Sequence, residues 1–301
     1  MAQWSVDDIP DQSGRTALVT GANSGLGLHT SIALARRGAR LLMACRNPAK
    51  AGEALSRVQA DVPGAQAELV SLDLASLASV RAAATSVAGR TEKLDLLIDN
   101  AGVMAIPRAQ TADGFEMQMG TNHLGHFALT GLVLPLLLAG NDPRVVVVTS
   151  DAHKIGRMRF DDLMGEKSYG RWSAYGQSKL ANLLFMRELD RRAAGRLKAM
   201  AAHPGYAATN LQSNHGNPVV DLFMRIGNRV IAQSDEAGAW PQLYAATMAD
   251  VKGGEYFGPS GVFGLRGTPD RDSPNRAASD AETARRLWEV SETLTGVNYP
   301  L

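Results

Sequence analysis

Thr16-Ala17-Leu18-Val19-Thr20-Gly21-Ala22-Asn23-Ser24-Gly25-Leu26-Gly27-Leu28 runs from a short apolar segment through a glycine-rich turn into a helical pattern that continues to Arg37. It reads as strand, tight turn and helix. Glycine tolerates positive φ and lets another group approach the backbone, while the first turn of a helix offers unpaired N–H groups and a positive dipole end. Together these make a pyrophosphate cradle, with contacts expected from Gly21, Asn23, Ser24, Gly25, Leu26 and Gly27. The G-x-x-x-G-x-G spacing departs from the G-x-G-x-x-G fingerprint and lacks the Gly-Lys-Ser/Thr ending of a P-loop, which excludes an ATPase. A glycine turn between strand and helix is also ordinary punctuation, so the rest of the chain has to decide.

Arg36, Arg37 and Gly38 form a helix-stop signal, after which Arg40 to Ala44 reads as a second buried strand. Its tip, Cys45-Arg46-Asn47-Pro48, lies where a dinucleotide fold meets the adenosine ribose. An acidic residue there would bind a free 2′-hydroxyl; Arg46 instead can pair with a 2′-phosphate and stack on adenine, which favours NADP(H) over NAD(H). A merely solvated arginine is the bland rival. A third strand, about 68–72, leads to Asp73-Leu74, and Ser76 can cap the next helix. Asp73 suits an adenine amino group and that helix start equally well.

The fourth strand, 94–98, ends in Asp99-Asn100-Ala101-Gly102, whose small residues let a flat cofactor pass close to the backbone, with Asn100 expected to brace the sheet. In the apolar helix beyond, Asn122 has low helical propensity and suits a kink at which its amide holds water or a backbone carbonyl. His123 and His126 lack a third ligand at zinc-site spacing, so packing and hydrogen bonding are expected of them rather than a metal. Val145 to Val148 suits a central parallel strand, and it delivers Thr149-Ser150 to the crevice where α/β sheets bind ligands. Tyr175 and Lys179, four apart, share one helix face. A sixth strand near 199–202 ends at His203-Pro204-Gly205, a last strand is expected at 254–257, and 264–276 reads as an exposed loop. Ser279 and Glu282 form a capping-box pattern for the final helix.

The 301 residues, 45% hydrophobic and 20% charged with a net charge of +1, fit an ordinary globular protein with no call for nucleic acid or an anionic surface as partner. The single cysteine, Cys45, allows no internal disulfide and reads as strand packing. The start of the chain lacks a basic or apolar leader, and the most apolar helix, around 129–138, is read as too short to span a bilayer. A cytoplasmic enzyme is the default expectation, with no membrane anchor.

These motifs resemble those of the short-chain dehydrogenases/reductases over essentially the whole chain. The resemblance places the cofactor turn at Thr20 to Gly27, the adenine contact at Asp73-Leu74 and the Asn-Ala-Gly element at Asn100, Ala101 and Gly102. It puts the catalytic Asn, Ser, Tyr and Lys on Asn122, Ser150, Tyr175 and Lys179, the last two also touching cofactor, and further cofactor contacts on Pro204, Gly205 and Thr209. Asn47 joins Arg46 at the adenosine end. Within the family the chain is similar to the retinol-dehydrogenase and protochlorophyllide-reductase branch, through Asn122 to Phe127, Ser178 to Asn182 and His203 to Gly205. Asp99 departs from that pattern, standing where an asparagine is usual.

The expected fold is a single α/β domain over 1–301: a Rossmann-type, doubly wound parallel sheet of about seven strands with helices on both faces. Residues 1–14 form an arm and 206–235 a substrate flap. The expected activity is NADP(H)-dependent interconversion of a carbonyl and an alcohol on a small molecule. Tyr175 is the acid/base, Lys179 together with the cationic oxidised nicotinamide lowers its pKa, Lys179 also anchors ribose, Ser150 holds the substrate oxygen and Asn122 a relay water. Met104, Met158, Tyr206, Leu211, Phe223 and Met224 suggest an apolar lining and hence a lipophilic substrate. The rival from another class is an NADP(H)-binding sensor or scaffold without turnover. Pairing into a homodimer or homotetramer through the helices of Asn122 and Tyr175 stays open beside plain core packing.

Overall fold

The computed structural model describes residues 4–205, 234–261 and 264–301. Thr209, and with it Tyr206, Leu211, Phe223, Met224 and nearly all of the expected flap, lie outside the described residues.

The strands are β1 (Thr16–Thr20), β2 (Arg40–Cys45), β3 (Ala67–Ser71), β4 (Leu96–Asp99), β5 (Arg144–Val148), β6 (Lys198–Ala202), β7 (Tyr256–Pro259) and β8 (Pro269–Arg271). They form one sheet in the order β3-β2-β1-β4-β5-β6-β7-β8. Every pairing is parallel except β7 with β8. The chain builds outward from β1 to β3, then returns to the other side of β1 with β4. The carboxyl ends of β1 and β4 therefore flank the topological switch point, where such sheets bind ligands.

Right-handed crossovers between parallel strands need helices on both faces, and both faces are apolar here. Helices α1 (Gly25–Arg36), α2 (Pro48–Asp61) and α6 (Trp240–Thr247) cover one face, with Ile32, Leu34, Val58 and Leu243 buried against Val19, Leu41, Ile98 and Val146. Helices α3 (Leu77–Ala88), α4 (Gly125–Leu138), α5 (Arg171–Ala193) and α7 (Ala281–Thr295) cover the other, around Leu18, Leu97, Val145 and Val147. In the stretch read as an arm, Trp4 packs edge-on against Trp240, and Ile9 and Gln12 are buried.

Three local expectations change. The sheet has eight strands, and β8 lies in the stretch read as exposed loop. Pro269, Asp270 and Arg271 carry little strand propensity; the antiparallel ladder to β7, with Arg271 stacked 5.7 Å over Phe257 and 2.7 Å from Glu255, supplies the order. Asp280 rather than Ser279 caps α7, its carboxylate accepting from the Glu282 and Thr283 amides. The apolar helix is also longer than 129–138, continuous from Met117 through a π turn at Gly120–Leu124 to Leu138.

Candidate active site

The strand–turn–helix at residues 16–28 forms as read. Gly21 sits at φ +67°, and Ser24 caps α1 without a side-chain hydrogen bond, leaving the first-turn amides without a side-chain acceptor from the cap. A Cβ on Gly27 would lie 2.3 Å from the Gly21 carbonyl oxygen and 2.6 Å from Asn100 Nδ2, so only glycine lets the helix start abut both the turn and the end of β4. This tight, amide-lined corner fits a dinucleotide pyrophosphate.

Thr20 ties the corner together. Its Oγ1 accepts from the amides of Asn100 (2.9 Å) and Ala101 (3.0 Å), while Asn100 Nδ2 donates to the Thr20 carbonyl at 2.8 Å. Asn100 thus braces β1 against β4, and Gly102 follows at the mouth. At the adenosine end Arg46 is exposed and has no ion-pair partner among the described residues. Asn47 is spent on capping α2, accepting from the Lys50 amide at 3.0 Å. Asp73 accepts from the Ala75 amide at 3.0 Å, which favours its helix-start role, and Leu74 is buried against α4 at Gly125.

Asn122 is fully buried in the π turn. Its Oδ1 accepts from the Val103 amide (2.8 Å), and Nδ2 donates to the Val103 carbonyl and to Ser178 Oγ (both 2.9 Å). The kink and the backbone carbonyl were expected; both amide hydrogens are committed to protein, leaving Oδ1 and the main chain as the places for further partners. Ser178 was missed, although its place between Tyr175 and Lys179 on the same helix was the available signal; its hydroxyl also donates to the Tyr175 carbonyl at 2.8 Å.

Tyr175 and Lys179 are both buried on α5, with the ammonium 5.8 Å from the phenol ring centroid. Ser150 lies two residues beyond β5, accepts from the Ala152 amide at 3.2 Å and faces the phenol. Burial pushes the Tyr175 phenol up to about 12, with Ser150 opposing the rise. Burial also holds Lys179 down to about 8. The depression expected of Lys179 acting together with an oxidised nicotinamide concerns the loaded enzyme; in the protein alone the ammonium donates to the Val148 carbonyl at 3.1 Å. Asn122 Oδ1 and Lys179 Nζ both border Gly102, 3.1 and 3.5 Å from where its Cβ would stand. The four catalytic candidates thus gather beside the glycine cradle, at the carboxyl ends of β4 and β5.

Pro204 and Gly205 follow β6 at the same edge. His203 Nδ1 accepts from the Gly205 amide at 3.2 Å, so Nε2 carries the proton and donates to Asp272 at 3.0 Å. Asp151, His203 and Asp272 lie close enough to share a cation, but Nε2 would have to lose that proton while Nδ1 still faces an N–H, which disfavours a metal there. Cys45 is buried with its thiol raised to about 11, a packing residue as expected.

Residues 15–219 match the short chain dehydrogenase family. The chain is a short-chain dehydrogenase. The enzyme is 41% identical to mouse retinol dehydrogenase 14, over 94% of this chain and 86% of that one. It is 39% identical to mouse polyprenol dehydrogenase, over 96% and 86%. The crystal structure of an uncharacterised protein from Mycobacterium paratuberculosis superposes with a TM-score of 0.82 at 43% identity, covering both chains fully. A Shigella flexneri short-chain dehydrogenase complexed with NADP shares the fold, with a TM-score of 0.64 at 23% identity over 83% of this chain and 97% of that one.

The dehydrogenase is accordingly an oxidoreductase that uses a nicotinamide cofactor and acts on CH–OH groups, in the retinol-dehydrogenase-like branch. The expected cytoplasmic address is corrected by its kinship with retinol dehydrogenases 12, 13 and 14. The helix from Met117 to Leu138, 22 residues, is also long and apolar enough to cross a membrane, although 72% of its most apolar 18-residue stretch is buried inside this protein, as a core helix would be.

Proposed function

We propose that this dehydrogenase interconverts a carbonyl and an alcohol on a lipophilic small molecule with NADP(H), and that Tyr175 moves the proton. The observation that carries the reading is the convergence of Ser150, Tyr175 and Lys179 beside a glycine cradle whose cofactor-side amides lack a capping side chain. A nicotinamide held beside these residues would supply or take the hydride at the substrate carbon. Tyr175 gives the substrate oxygen its proton in reduction and receives it in oxidation, while Ser150 donates a hydrogen bond to that oxygen. Lys179 holds the ribose and steadies negative charge on the phenol, and Asn122 fixes α5 through Ser178 and offers its main chain to a relay water. Arg46, exposed at the tip of β2, pairs with the 2′-phosphate. The half-buried Met104 and Met158, and relatives named for retinol and polyprenol, support a lipophilic substrate.

Tyr175→Phe is expected to lower kcat by at least about a hundredfold while leaving the NADPH dissociation constant within a few-fold. Retained turnover would remove Tyr175 from the chemistry. Titration with NADPH and NADH followed by nicotinamide fluorescence should show tighter NADPH binding, with Arg46→Ala costing about tenfold for NADPH only. Equal losses for both cofactors would overturn the 2′-phosphate role.

A further inference from the structure

Among the described residues, His126 hydrogen-bonds both to Thr20 at the glycine corner and to Asn122 in the π turn. It is 1% exposed, in the first turn of α4. Its Nδ1 lies 3.0 Å from the Asn122 carbonyl oxygen and its Nε2 2.9 Å from Thr20 Oγ1.

The proton positions follow from what each partner can do. The Asn122 carbonyl only accepts, so Nδ1 carries a hydrogen. The ring is buried near Lys179, and both burial and that ammonium disfavour a second proton. Nε2 is then a bare acceptor, and the Thr20 hydroxyl must donate to it rather than to the more distant Ile98 carbonyl at 3.3 Å. With its hydrogen so directed, Thr20 Oγ1 has its lone pairs free for the Asn100 and Ala101 amides, as observed. One directional chain results, from the Asn100 and Ala101 amides through Thr20 and His126 to Asn122, with each link satisfied.

We propose that His126 is a positioning residue that couples the cofactor cradle to the Asn122 turn, acting as a neutral imidazole locked with its hydrogen on Nδ1. It joins the ends of β1 and β4 to the kink that aims Asn122 at Val103 and Ser178. A protonated ring would turn Nε2–H onto Thr20 Oγ1 and compete with two amides for the same lone pairs. A ring with the hydrogen on Nε2 would set a bare nitrogen against the Asn122 carbonyl. The consequence for catalysis rests on the dinucleotide reading of the cradle; the tautomer does not.

Two measurements test the proposal separately from that reading. In the whole enzyme, nitrogen-15 NMR of the histidine rings should show His126 neutral with hydrogen on Nδ1 from pH 6 to 9; an imidazolium or the other tautomer in that range overturns it. A cycle of Thr20→Val, His126→Phe and the double variant, read by NADPH dissociation constant and by kcat and KM, probes the coupling. Each single change should weaken NADPH about tenfold and lower kcat, with KM for the alcohol within twofold, and the double variant should lose no more than the worse single one. His126→Gln, which keeps one donor and one acceptor, should recover part of both losses. Losses that multiply in the double variant, or a His126→Phe enzyme whose melting temperature falls while NADPH affinity and kcat stay within twofold, would reduce His126 to core packing. A protein that binds no dinucleotide at all, yet shows the Nδ1–H tautomer, would sink the cofactor reading and leave the linkage geometry standing.

Discussion

At the scale of single residues, burial sets the chemistry before any charge does. Tyr175, raised to about 12, enters neutral solution as a phenol and is ready to donate a proton to a carbonyl oxygen. Alcohol oxidation instead needs that proton removed. Its kcat/KM should climb between pH 7 and 9 while carbonyl reduction stays flat across the same range, and identical profiles in the two directions would contradict Tyr175 as the group that titrates. Lys179 shows the cost of placing charge here: its folded pKa of about 8 lies below that of a free lysine, so the folded state holds its proton less well than the unfolded chain. The penalty is full below pH 8 and disappears as pH rises toward the unfolded value. Lys179→Met should therefore raise stability at pH 7 by about 3 kcal/mol in denaturant titrations while abolishing activity. Asn182 Nδ2, 3.1 Å from the Val148 carbonyl, keeps that acceptor satisfied.

At the scale of elements, the site is assembled from ends: of β1, of β4, of β5 and of a helix opened by a π turn. Each end was legible because residue type and position agreed, as with the valines of β5 running into Ser150. The partner of each end was not. Asn122 looked like a misfit in an apolar helix, and only the close approach of Val103 and Ser178 shows what its amide holds. Gly27 carries a similar lesson. Sequence spacing marks it as a turn glycine, but its constraint comes from the Gly21 carbonyl and Asn100, brought up by the sheet. Gly27→Ala should push the helix start from the turn, weakening NADPH at least tenfold and lowering stability by about 1–3 kcal/mol. Unchanged NADPH affinity in that variant would mean that the pyrophosphate lies elsewhere.

At the scale of the molecule, three buried groups held neutral shape the response to pH. Burial lowers His123 to about 3 and His126 to about 4, so each loses stability as pH falls below the unfolded histidine value near 6.5. Asp99 is raised to about 8, so the unfolded chain ionises first and stability is lost as pH rises from about 4 to 8. Stability should peak near pH 6.5 and fall by about 2 kcal/mol toward pH 8, and Asp99→Asn should abolish that fall. A wild-type curve that is level from pH 6.5 to 8 would exclude a neutral Asp99. Asp99 Oδ2 accepts from Thr130 at 3.0 Å, while its other oxygen is buried with no partner among the described residues. The sequence by itself determined the strand–turn–helix at residues 16–28, the alternation of strands and helices, and the four catalytic candidates, because backbone geometry and local spacing are written in neighbouring residues. The tertiary structure alone decided that β8 exists, that Asp280 caps α7, that burial holds the Tyr175 phenol high in the protein alone, and that Thr20 and His126 join the cradle to Asn122. Those outcomes depend on burial and on hydrogen-bond partners up to 106 positions away along the chain, which no local pattern encodes.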